Sequence, residues 1–108
     1  MDADSDDFQM GGFTWHLNAS MGKPGEPDEL GFYLILNDAN HKLVKVDFVI
    51  DVQFPRLLTA PKGHIDYVFR HKSNGFGYPL GSHHVNHLNH NDSVTVKFKG
   101  HVVTVKKN

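Results

Sequence analysis

The sequence predicts an all-β domain, an antiparallel β-sandwich, on three observations. Apolar residues recur with period two in several separate stretches; those stretches are rich in Val, Ile, Phe, Tyr and Trp; and Gly, Pro, Asn and Asp cluster between them. No segment of useful length combines helical periodicity with capping residues, and no internal repeat is present. Alternating helices, and with them a parallel sheet, are therefore not expected.

The elements follow in chain order. Asp2, Asp4, Asp6 and Asp7 repel one another and offer no apolar surface, which predicts a flexible acidic N-terminus over residues 1–7 and a folded domain over residues 8–106. "FTWHLNA" sets Phe13, Trp15 and Leu17 on one face and Thr14, His16 and Asn18 on the other, as in a half-buried strand. "SMGKPGEPDE" has loop chemistry, and "LGFYLIL" is an apolar run too short for a helix. After the turn "NDAN" comes the clearest strand, "KLVKVDFVIDVQF", with Val44, Val46, Phe48, Ile50, Val52 and Phe54 in step. Ile65, Tyr67 and Phe69 form another, and Val94, Val96 and Phe98 a last one. Beyond Gly100 the apolar positions shift to Val103 and Val105, which predicts a bulge at the glycine or a tight turn into a further strand.

Composition narrows the function classes. The 108 residues suffice for one domain with its own core, and the absence of cysteine fits a reducing compartment, cytoplasm or nucleus. Eleven Lys and Arg against twelve Asp and Glu give a net charge of -1, without the positive field of a nucleic-acid surface. No apolar run approaches the roughly 20 residues needed to span a bilayer, so neither nucleic acid nor membrane is an expected partner.

The candidate chemistry is sparse. "HHVNHLNH" places His83, His84, His87 and His90 in eight positions, and neutral imidazoles bind zinc or nickel. The surrounding Gly, Ser, Asn and Asp make a poor helix, and no cysteine or fixed ligand spacing supports the cluster, so it reads as a solvated loop with metal binding as the alternative. Asp47 and Asp51 fall on the polar face of a strand, and no nucleophile elbow or phosphate loop surrounds the serines, so no enzyme and no cofactor are expected. "KSNGFGYPLG" reads as a loop displaying Phe76 and Tyr78. Rigid aromatics there either hold a peptide or close the end of the core.

The order of these features resembles a MATH domain, the meprin and TRAF homology sandwich, from about Ser5 to Val105. "SDDFQMGGFTWHL" is similar to the family's Ser-x-x-Phe, Gly-Gly, Trp-x-Leu opening, "LGFYLIL" and "VKVDFVIDV" to its next two strands, and "HNDSVTVKFKGHVVTV" to its closing strand. "NGFG" stands at the usual Trp-Gly-Phe, with Asn74 in place of the tryptophan. The resemblance implies a non-enzymatic module that binds an extended, Ser/Thr-rich peptide of a partner or of a ubiquitin-ligase substrate. It places that peptide on Tyr33, Phe48, Tyr67, Lys72, Ser73, Asn74 and Phe76; Phe48 is also in step with the core-facing residues of its strand, and both placements stay open. The resemblance begins at the family's second strand. This implies an uncovered sheet edge, filled either by a second copy in a homodimer or, less readily given its acidic composition, by the segment before Phe13. A self-associating structural domain is a further alternative.

Overall fold

The computed structural model describes residues 2–23, 26–53, 65–71, 74–80 and 95–107. Among these described residues eight strands follow one another: β1 (Asp2–Asp4), β2 (Phe8–Met10), β3 (Phe13–Lys23), β4 (Glu26–Leu36), β5 (Lys42–Gln53), β6 (Ile65–Phe69), β7 (Asn74–Leu80) and β8 (Thr95–Lys107). They form two antiparallel sheets, one of five strands in the order β1-β3-β4-β7 with β2 also on β3, and one of three in the order β6-β5-β8. Every pairing is antiparallel, as the alternating sequence predicts. Among the described residues no helix is long and apolar enough to cross a membrane.

The sheets pack face to face through the side chains that period two selects. Trp15, Phe32, Leu34 and Leu36 come from the larger sheet, and Val44, Val46, Phe48, Ile50, Val52 and Phe69 from the smaller; all are buried in one cluster. Trp15 meets Phe69 edge-on at 5.2 Å between ring centroids, and its Nε1–H donates to the Met10 carbonyl at 2.9 Å, so its one polar group is satisfied inside the core. An aromatic pair joins the sheets along each side. Phe8 of β2 reaches Phe98 of β8 at 5.4 Å, and Phe76 of β7 stacks on Tyr67 of β6 at 4.0 Å.

The N-terminus departs from the expected mobile tail. Asp2–Asp4 pairs with Asn18–Ser20 and Phe8–Met10 with Phe13–Trp15, on the edge of β3 away from β4. The link between them is a bulge in which Ser5 takes over the ladder: its N–H donates to the Leu17 carbonyl and its Oγ accepts from the Leu17 N–H, both at 2.8 Å. Backbone bonds need no apolar side chain, so acidic composition does not prevent pairing. Asp4 is further held by Asn18 Nδ2 at 2.8 Å. Of the two ways of covering an edge, the chain uses the one its composition favours less.

Three further boundaries differ from the expected ones. Residues read as the loop "SMGKPGEPDE" extend β3 to Lys23 and start β4 at Glu26, with a register shift between Met21 and Lys23. "NGFGYPL" is strand β7, although its glycines suggest a loop. Gly75 lies under the Ile35 side chain and Gly77 against the Phe32 carbonyl, so a neighbour occupies the room a side chain would need. Strand β8 is continuous, and its bulge falls at Val103, between Val102 opposite Val46 and Thr104 opposite Lys45, three residues past the glycine. Gly100 itself stays in register under Phe48, where an added Cβ would come within 2.8 Å of Phe48 Cβ.

The connections carry the residues their backbone demands. Gly11 and Gly12 turn β2 into β3 in two residues at φ +61° and +85°, the left-handed pair that matches hairpin twist. An added Cβ at Gly11 would collide with the Val102 side chain of the opposite sheet. Gly11→Ala is therefore expected to cost about 1–2 kcal/mol from the left-handed backbone alone, more once Val102 is displaced, and thermal melting would measure it. From β4 to β5 the predicted turn is present: Asn40 and His41 sit at φ +55° and +59°, closed by Lys42 N–H on the Ala39 carbonyl.

Candidate functional site

Strand parity decides which of the expected peptide-contacting residues can act together. Across the β4–β7 ladder, Leu34 lies opposite Phe76 and Tyr33 opposite Gly77. Neighbouring strand residues face opposite ways, so Phe76 shares the inner face with buried Leu34, while Tyr33 lies on the outer face. On the β3 side this outer face carries polar groups: His16 Nδ1 lies 2.6 Å from Asn37 Oδ1, Ser20 Oγ donates to Asn18 Oδ1, and the Tyr33 ring lies over Gly31. Tyr33 and Phe76 thus belong to two different surfaces.

Phe48 is 1% exposed, between Phe69 and Phe98 at centroid distances of 6.3 and 6.1 Å. Of its two open placements it takes the core, because its strand alternates in strict register and an even-numbered position on β5 faces inward. It presents no surface to a peptide. Asn74 caps the turn before β7, its Oδ1 accepting from the Arg70 N–H at 3.0 Å. Lys72, Ser73 and the histidine set His83, His84, His87 and His90 lie outside the described residues.

Tyr67 and Phe76 do come together. Their rings are nearly parallel, at 9° and 4.0 Å, and Tyr67 also meets Phe69 edge-on at 4.9 Å. Phe76 is 38% exposed, which is high for so large an apolar ring. The pair stands where β6 and β7 bring the two sheets together, and among the described residues β7 pairs with β4 alone. Among the described residues no strand covers the other edge of β7, which lies beside the exposed aromatic step. Sequence reasoning picks out both rings but not their stacking, which depends on the register of two strands in different sheets.

The outer face of the three-stranded sheet is a charged ladder. Asp51 lies opposite Lys97, Asp47 opposite His101, and Lys45 Nζ is 3.9 Å from Asp66. The solvent-exposed Lys45–Asp66 ion pair contributes little to stability. Among the described residues no group of three or more His, Cys, Asp or Glu could hold a metal ion. Compared with protein-family models, with curated proteins and with solved structures, the chain matches none.

Proposed function

We propose that this chain is a non-enzymatic interaction module, a MATH-like sandwich that takes an extended peptide of a partner protein by strand addition along β7. The observation that carries the reading is the exposed Phe76 ring stacked on Tyr67 beside the β7 edge. An added strand would draw its binding energy from main-chain hydrogen bonds to β7, and its specificity from alternate side chains. On the inner side those side chains meet the Phe76–Tyr67 step, which favours an apolar residue. A Ser/Thr-rich segment is the peptide class that the family resemblance suggests for such an edge. Recruitment of a substrate to a ubiquitin ligase is the cellular setting that the family resemblance suggests for such a module.

Selection from a displayed peptide library tests this reading. Phe76→Ala is expected to weaken a selected peptide by about 2 kcal/mol, roughly thirtyfold, whereas Tyr33→Ala, on the other face, leaves it within about twofold. Equal binding by a folded Phe76→Ala protein, or an enriched pool whose binding depends on Tyr33, would contradict placement at β7.

A further inference from the structure

The edge of the five-stranded sheet opposite β7 is closed unevenly. At one end β2 sends Phe8 inward against Phe98, and Met10 packs on the core beside it. At the other end the inward residue of β1 is Ala3, paired in register with Ala19. Two alanines do not fill the space between the sheets. A cleft of about 250 Å3 remains there, its apolar lining including Ala3, Leu17, Ala19, Phe32, Ile50 and Val96, with Asp4, Ser5, Asn18 and Tyr33 also bordering it. An apolar cavity of roughly 150 Å3 already accepts a benzene ring.

Around the mouth of this cleft β1 shows how an extended chain is gripped. The Asp4 carboxylate accepts from Asn18 Nδ2 at 2.8 Å and stands 3.6 Å from His16 Nε2. Next to it Ser5 exchanges two hydrogen bonds with the Leu17 backbone. The grip reads three successive positions: one pointing into the cleft, one acidic, one hydroxyl. β1 meets the second and third and leaves the first nearly empty. It is also three residues long, with Ala3 and Asp4 both exposed, so few contacts oppose its release.

We propose that the β3 edge along Leu17–Ser20 is a second binding site, for an extended protein segment of the pattern large apolar, acidic, Ser or Thr, and that β1 is its weak built-in occupant. A competing strand that keeps the carboxylate and hydroxyl but replaces the alanine with leucine makes the same edge bonds and fills the cleft as well. The site lies at the other edge of the sheet from β7, and stands or falls independently of peptide binding there.

Two synthetic peptides with blocked ends, DADSDD and DLDSDD, titrated into the full chain give the test. The expected result is saturable shifts of the Leu17–Ser20 amides with DLDSDD, at a concentration at least tenfold lower than with DADSDD. Within the chain, Ala3→Leu is expected to slow amide exchange on β1 and at Leu17 and Ala19 at least tenfold, and Ala3→Lys, equally long but charged, to give no such slowing. Equal affinity of the two peptides, or parent-like exchange in Ala3→Leu, would overturn the proposal.

Discussion

Trp15→Ala is expected to lower stability by about 4 kcal/mol, a large share of the roughly 5–15 kcal/mol that holds a typical domain folded. Trp15 is fully buried, meets Phe69 edge-on, and ties the β2–β3 hairpin to the core through its bond to the Met10 carbonyl. Removing the indole leaves a cavity at the junction of both sheets and leaves that carbonyl without its partner. Trp15→Phe keeps much of the apolar volume and loses the N–H, so its cost should be less than half as large. Denaturant unfolding of the three proteins measures this. A Trp15→Ala protein as stable as the parent would mean that the hairpin and the β6 strand do not meet through this side chain.

Phe48→Ala is expected to cost about 3–5 kcal/mol, because the ring lies between Phe69 and Phe98 over Gly100, a position without a side chain of its own. The same residue separates the two roles its sequence position leaves open. Phe48→Leu, which keeps a large apolar side chain, should stay folded at a cost of about 1 kcal/mol and bind a selected peptide as the parent does. A folded Phe48→Leu protein with a stability unchanged from the parent and a tenfold loss of peptide affinity would move Phe48 from the core to the binding surface.

The legible parts of the fold are those where one face of a strand is apolar and the other is not. On β5 the alternation from Val44 to Val52 is strict, and each of those inward positions is buried. Phe13, Trp15 and Leu17 on β3, and Ile65, Tyr67 and Phe69 on β6, share the expected faces and contribute to the core. Legibility fails where the side chains do not alternate in polarity. "LGFYLIL" is apolar on both faces, so its sequence does not tell whether Tyr33 or its neighbours point inward; the ladder to β7 decides. Strand β7 is hidden by glycines whose space Ile35 and the β4 backbone occupy, and β1 by carboxylates that take no part in the ladder. The bulge at Val103 answers to the pairing with Lys45 and Val46, not to the nearby glycine.

The candidate site was legible in the same partial way. Phe76 and Tyr67 are conspicuous as aromatics near turn residues, and the structure stacks them. Their separation from Tyr33 is a matter of parity, and the cleft behind Ala3 one of omission, visible once Phe8 is seen to fill the equivalent place further along the same edge.

Amide hydrogen exchange on β7, with and without a selected peptide, tests strand addition most directly. Saturating peptide is expected to slow exchange of alternate β7 amides, those directed away from β4, by about tenfold or more and to leave the amides of β5 unchanged, since a new strand protects one edge and nothing in the sheet interior. Protection confined to the outer-face surroundings of Tyr33, with β7 exchanging as in the free protein, would contradict it.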